Sequence, residues 1–449
     1  MKRIHTPDET RVYPARLLFT CMSILCHGTA WAHAGAIMDS IDINGPFEDE
    51  HIGLETSVGY LKGHPADSFS WVCHESVTQP DAIITPRYTE SPSGTALVIV
   101  GVLDQARDTA QSLYRSEDMC NWSAPEGLTG QQVADVAFDP NDPLHALAIT
   151  ANPEGTNALF RSIDGGLTWT ETSLQTDERT FRSVLFGGMN THSVWISSVR
   201  HETDEGWIYH SIDAGMTWTE HAVDIPTSED LDIYVDVAIA DQNDPNRAWI
   251  VVGPFLDDQL LETKNGGQNF EEVYAPDGDI IDATQDNSGG LWLITTGNKV
   301  IHSENGEFFQ RVESAPMSLG VASQDNDIYL ANRIPSEGFP LSIGQDGRDF
   351  EPIEAFQLLT GPPDCEPESD SSTYCEPLWP QLSAMINGSE DTAAPADTNS
   401  EEQATHSEGQ PKSMEQQGCC SDQTKSSNAG LLALLLVGLG HNRRRRSEK

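Results

Sequence analysis

Two octapeptides, Ser162-Ile-Asp164-Gly-Gly166-Leu-Thr168-Trp169 and Ser211-Ile-Asp213-Ala-Gly215-Met-Thr217-Trp218, recur 49 residues apart. A fixed internal period constrains a chain more than its composition does, because each unit must bury its apolar face against the next copy. Weaker copies continue the series. Downstream lie Thr263-Lys-Asn265-Gly-Gly267-Gln-Asn-Phe270, Ser303-Glu-Asn305-Gly-Glu-Phe308 and Asp346-Gly-Arg-Asp-Phe350; upstream lies Ser116-Glu-Asp118-Met-Cys120-Asn-Trp122. A seventh, eroded copy spans residues 60–71. Each copy follows an apolar run, as at 158–161 or 207–210, and a second run stands earlier in the unit, as at 146–149 and 248–252. A first run is clearest at 133–138 and 235–239, and a fourth begins at the closing aromatic. Four short runs rich in β-branched and aromatic residues, bounded by Gly, Pro, Asn and Asp, are the arithmetic of a propeller blade. The expected fold class is all-β: a β-propeller of four-stranded blades over residues 35–360. Seven turns argue for seven blades; six stays open while the closure of the ring is unseen.

The octapeptide has the chemistry of a hairpin turn. Its Asp accepts from backbone N–H groups just ahead. Its Gly takes a positive φ that a Cβ would disfavour. Its Trp or Phe turns inward and fills the gap between neighbouring units. Ser162, Asp164, Gly166, Thr168 and Trp169, with Ser211, Asp213, Gly215, Thr217 and Trp218, are therefore read as structural, and the two aspartates as peripheral to any site on the axis. The pattern resembles the Asp-box (BNR) repeat of sialidases, sortilin-type receptors and photosystem II assembly factors, over residues 50–356. That resemblance raises the question of an enzyme. Sialidases also carry an Arg-Ile-Pro motif before the first box, three arginines that clamp a carboxylate, and a Tyr–Glu pair.

Here Asn332-Arg333-Ile-Pro335 follows the boxes instead of preceding them, and three residues out of context carry little information. Only 11 arginines fall between residues 51 and 350, and Arg115 and Arg161 share one repeat position just before a box, which marks them as structural. Asp139-Pro-Asn-Asp-Pro143 and Asp241-Gln-Asn-Asp-Pro245 read as turns. His192, His201, His210 and His221 lie close in sequence without a zinc-type spacing. No catalytic, cofactor or metal residue is assigned.

The ends of the chain differ in character. Residues 1–34 read as a secretory signal: Arg11 and Arg16, an apolar run from 17 to 25, and small-x-small sites at 30–32 and 32–34. Residues 361–385 form a Pro-rich, cysteine-bearing extension. Residues 386–418, rich in Ser, Thr, Ala, Glu and Gln, lack the apolar surface to fold and read as a flexible acidic stalk. Residues 419–449 hold Cys419 and Cys420, an apolar run of 12 residues at 429–440, and Arg443 to Arg446. A membrane span needs about 20 apolar residues, so this order resembles the MYXO-CTERM sorting signal of myxobacterial surface proteins. The resemblance implies cleavage near the cysteine pair and display on the outer cell surface, with Cys419 or Cys420 carrying the modification. A plain membrane anchor with cytoplasmic arginines is the competing reading.

The formal net charge is −45. Nucleic acid and anionic lipid would be repelled, so membrane association is expected only through the C-terminal anchor. The acids are dispersed, as suits solubility at high salt, and no EF-hand-like spacing appears. With Cys21 and Cys26 in the signal, four cysteines remain in an exported domain, an even number that implies two disulfides. Proximity in sequence suggests Cys365 with Cys375 and Cys73 with Cys120; other pairings stay open.

The chain is accordingly expected to be an exported, surface-tethered, monomeric propeller. Its leading role is that of a non-enzymatic binding or scaffold module for an extracellular glycan or protein. The alternatives are a divergent glycan-active hydrolase and an assembly factor for a membrane complex.

Overall fold

Seven antiparallel sheets stand in a ring in the computed structural model, which describes residues 39–387 apart from 46–50, 79–85, 105–110, 189–190, 201–204, 226–232 and 255–256. Blade 1 holds strands Ser40–Asn44, Ile52–Thr56, Gly59–Gly63 and Phe69–Val72. Blade 2 holds Arg87–Glu90, Ala96–Asp104 and Gln111–Ser116, with a bridge between Arg115 and Ser123 where a fourth strand would lie. Blades 3 to 6 begin with Val133–Asp139, Thr180–Phe186, Ile233–Ala240 and Ile280–Gln285 and end with Thr170–Thr176, Thr219–Val223, Glu271–Tyr274 and Gln310–Arg311. Blade 7 runs from Ser318–Gln324 to Arg348–Ile353. The count is seven. The first strands touch one another around the circle, blade 7 against blade 1 included, and so line the axis.

Strand position explains the residue pattern. A second strand is covered by a blade on each side, so Ala248–Pro254 is buried at every residue and reads as one apolar run. A fourth strand has an open outer edge, so Thr170–Thr176 carries Thr, Glu, Ser and Gln. The buried apolar residues separate into seven clusters, one at each seam. Trp169 lies in the seam of blades 2 and 3 beside Leu97 and Leu113, and Trp122 fills that of blades 1 and 2.

The octapeptides form the expected turns. Asp164 Oδ1 accepts from Thr168 N at 2.9 Å and its Oδ2 from Thr168 Oγ1 at 2.6 Å. Asp213 does the same with Thr217 at 2.8 and 2.7 Å. The Ser162 and Ser211 hydroxyls donate to those carboxylates and accept from Gly166 N and Gly215 N, each at 2.9 Å. Gly166 has φ 82°, and a Cβ there would meet Leu97 of blade 2 at 2.9 Å. Trp169 Nε1 donates to Gly166 O at 3.0 Å and Trp218 Nε1 to Gly215 O at 3.2 Å, so each ring packs back on its own turn.

The ring closes in a way the repeat does not predict. After blade 7 the chain crosses to the outer edge of blade 1, where Leu359–Gly361 adds a parallel strand beside Phe69–Val72. Two short helices follow, Asp370–Tyr374 and Trp379–Ile386. Trp379 lies 6.0 Å from Trp71, and Leu382 is buried in the cluster shared by blades 7 and 1. Ser371 N donates to Cys120 O at 3.0 Å, and Trp122 N donates to Asp370 Oδ2 at 2.8 Å.

This clasp corrects the expected disulfides. Cys73 pairs with Cys375 and Cys120 with Cys365, at Cα separations of 5.3 and 5.6 Å. Proximity in sequence misled because the extension is not a free-standing loop. It lies across blades 1 and 2, and each of its cysteines meets the blade beneath it. The expected signal peptide, the expected stalk beyond Asn387, Cys419, Cys420 and the arginine cluster lie outside the described residues, as does all of the separate unit 393–449. Among the described residues no helix is long and apolar enough to cross a membrane.

Candidate functional site

The axis of the ring gathers charged side chains from six blades. Near its start the first strand carries a β-bulge in blades 1, 3, 4, 6 and 7. A bulge leaves a backbone N–H without its ladder partner and re-aims the side chain beside it. The residue at that place is Asp42, Asp135, Ser183 and Asp282 in blades 1, 3, 4 and 6, with Asp236 in the matching place of blade 5. Each of three of them reaches the next blade's main chain or the one adjoining it. Val184 N donates to Asp135 Oδ2 at 2.8 Å, Val237 N to Ser183 Oγ at 2.7 Å, and Val321 N to Asp282 Oδ2 at 2.6 Å. These side chains stitch the inner wall.

The same groups set the electrostatics. Arg87 lies 3.6 Å from Asp135. Arg182 grips Asp236 with two bonds of 3.0 Å and stands 5.5 Å from the Tyr234 ring. Asp42, Glu55, Asp135 and Asp236 act on these two cations and Asp282 on Asp42, so the axis carries more acid than base. Burial raises the carboxyl pKa of Asp42, Asp135 and Asp282. Glu55 is pushed up to about 8 by burial and by the neighbouring Asp42 charge, against the Tyr88 N–H bond that favours its ionised form.

One lip of the channel combines Arg, Tyr and carboxylates. The Tyr234 hydroxyl donates to Asp258, and Ile280 N donates to Asp258 Oδ2 at 2.7 Å. Burial raises Asp258 to about 6, so it exchanges protons near neutrality and has the property of a general acid. Burial and the Asp258 bond raise the Tyr234 phenol instead, the wrong direction for a nucleophile. Both arginines are already engaged by carboxylates, so an anionic substrate would have to displace Asp236 or Asp135.

The remaining sequence candidates separate from this lip. The Asp164 and Asp213 carboxyls are held below the ordinary range by their turn hydrogen bonds, which outweigh burial. Arg115 Nε donates to Gly165 O at 2.7 Å and so ties blade 2 to the turn of blade 3, the structural role its repeat position implies. Asp139 accepts from Asn141 N and Asp241 from Asn243 N, each at 2.8 Å, as turns do. Arg333 lies 3.5 Å from Asp39, and Ile334 N donates to Asp39 at 3.0 Å, which places the Arg-Ile-Pro stretch on the seam of blades 7 and 1. His210 bonds Pro245 O at 2.7 Å and stacks on Trp195; the His192 carbonyl accepts from Ala214 N. His201 lies outside the described residues. Among the described residues no three His, Cys, Asp or Glu are grouped to hold a metal.

A cleft of about 530 Å³ opens between blades 1 and 2, lined by His51, Lys62, His64, Asp67 and Glu117. Behind it Glu90 accepts from Tyr60 and Lys62, which joins the two blades across their seam. The exposed apolar side chains lie elsewhere. Among the described residues these are Ile281, Phe308, Met317 and Met385 and, on turns of blades 3 and 4, Leu144, Ile163, Leu167, Ile212 and Met216. The two kinds of turn share one face of the ring, since Gly165 N donates to Leu144 O at 2.8 Å and Met216 touches Arg161 of blade 3.

The ring carboxylates were not singled out from the sequence. The available signal was the repetition of Asp-Val-Ala at 135–137 and 236–238.

No model of a known protein family matches the chain, and no curated protein matches it. Solved structures do resemble it. A YCF48 structure from Cyanidioschyzon merolae is 18% identical, with 49% of this chain and 69% of that one covered and a TM-score of 0.33. A GH74 xyloglucanase from Xanthomonas campestris is 12% identical over 70% of this chain and 55% of that one, with a TM-score of 0.46. The Dos1 propeller is 11% identical over 70% and 83%, with a TM-score of 0.42. These are likenesses of fold alone.

Proposed function

We propose that this chain is an exported Asp-box (BNR-type) propeller, tethered to the outer cell surface by a MYXO-CTERM-type tail, that binds a protein partner without transforming it. The observation that carries the reading is the cluster of Leu144, Ile163, Leu167, Ile212 and Met216 on one face of blades 3 and 4. Exposed apolar side chains gathered in one place mark interaction surfaces. These are aliphatic and stand beside the ionised Asp164 and Asp213, which suits a protein surface that alternates apolar and basic side chains better than a sugar ring. The net charge of −45 favours the same cationic partner.

The test is binding of the labelled mature chain to intact cells and to arrayed proteins and glycans. Binding to basic proteins that I163D/M216D abolishes, with the circular dichroism spectrum kept, supports the reading. Binding confined to glycans, or untouched by the double variant, overturns it. Cell fractionation with antibody labelling tests the tether, which fails if the chain is found only in the medium or inside the cell.

Asp258 favours a second reading, a glycan-active hydrolase. Turnover of chromogenic sialosides, glucosides or xyloglucan that Asp258→Asn removes would install it in place of the first.

A further inference from the structure

The last described residue, Asn387, follows blade 7 in sequence, yet the helix that leads to it packs on blade 1. Between blade 7 and that helix stand both disulfides. Cys375 is bonded to Cys73, 302 residues away, and Cys365 to Cys120, 245 residues away. The residues read from the sequence as stalk and tail follow in the chain.

A pull on the tail would behave differently with and without these bonds. In their absence tension passes up the chain from Asn387 through the clasp to the fourth strand of blade 7, Arg348–Ile353. That strand is an edge, with four of its six residues exposed. Drawn from its end, such a strand gives up its ladder bonds one after another, and each lost strand exposes the next. With the bonds in place tension leaves the main chain at Cys375 and enters at Cys73. There it meets Phe69–Val72, an interior strand flanked on one side by Gly59–Gly63 and on the other by Leu359–Gly361, with Phe69, Trp71 and Val72 fully buried. The Cys365–Cys120 bond shares the load with blade 2, the neighbour of the apolar face on blades 3 and 4.

We propose that the disulfide-bonded clasp is a load clamp. It carries tension between a partner held by the ring and the surface tether through blades 1 and 2, and it keeps blade 7 out of the covalent path. The proposal rests on the tethering reading for its biological use, and its physical claim is measured independently of that reading.

The experiment is optical trapping of the full mature chain. One handle is attached at the C-terminus and the other at Met216, through an azide-bearing residue in place of Met216, so that no cysteine is added. Ramps are recorded before and after adding a phosphine reductant to the same folded molecule. The expected result is that reduction lowers the first rupture force. It also adds an early step of about 140 Å, the reach of the roughly 40 residues from Arg348 to Asn387 at about 3.5 Å each. A C73S/C120S/C365S/C375S chain should repeat the reduced trace; if it does not fold, the reduced wild-type molecule supplies the same comparison. Equal first-rupture forces with no added early step would overturn the clamp. Failure of the tether would appear instead as the absence of the chain from the cell surface, with the force traces unchanged.

Discussion

Glu55 should make this propeller lose stability as the pH rises. Its carboxyl is 4% exposed and is pushed from an ordinary 4.5 to about 8 by burial and by Asp42. Between those values the unfolded chain has released the proton and the native chain retains it. The free energy of unfolding then falls by about 1.4 kcal/mol per pH unit. Across the whole window the loss approaches 5 kcal/mol, an order-of-magnitude figure that Asp42 shares because the two carboxyls titrate together. Below pH 4.5 both states hold the proton and the effect vanishes. Replacing Glu55 by Gln keeps an acceptor for Tyr88 N and removes the titration. The assay is the urea midpoint at pH 4.5, 6 and 8, followed by two probes to check that they coincide. E55Q should match the wild type at pH 4.5 and exceed it increasingly to pH 8; D42N/E55Q should be flatter still. Wild-type and D42N/E55Q midpoints that stay parallel across the range would refute the reasoning.

Other outcomes follow from the turns, the seams and the clasp. Asp213→Ala strips the octapeptide turn of blade 4 of its Thr217 and Ser211 bonds and should cost roughly 1–3 kcal/mol, read as a lower melting temperature and as faster amide exchange at residues 211–219. Trp169→Ala empties the seam of blades 2 and 3 and should cost about 3–5 kcal/mol, with Trp169→Phe recovering part of it. The C120S/C365S pair should cost about 2–5 kcal/mol and should expose Trp379 to quenchers. Burial lowers the His74 imidazole to about 4. Protonation is therefore resisted in the native state, and His74→Gln should blunt the stability lost as pH falls from 6.5 to 4.

The sequence disclosed what repeats. Asp164, Asp213 and their tryptophans are spaced by the blade, so the period exposed the turns, the strand order and the structural role of Arg115. It was silent where one copy departs from the rest. The clasp occurs once, and its disulfides join residues 302 and 245 apart, a relation no local spacing encodes. The axial charges fell between these cases. Asp42, Asp135, Asp236 and Asp282 do recur, but the runs around them differ and Ser183 and Gly320 take the place in blades 4 and 7, so the pattern blurs. Asp258 and Tyr234 meet because the first strand of blade 5 begins, and the loop into its third strand ends, at the same lip.

The four strands of a blade come from one contiguous stretch of chain, and the clasp ties the ring's ends covalently. Among the described residues, Leu359–Gly361 beside blade 1 is the one strand that joins a sheet from a distant part of the chain. Duplicating one whole unit at a loop would therefore add a complete sheet and one more wedge of aromatic filling, with no partial sheet to mend. The limit on such growth is the clasp, whose two covalent ties were made to reach across a circle of one circumference.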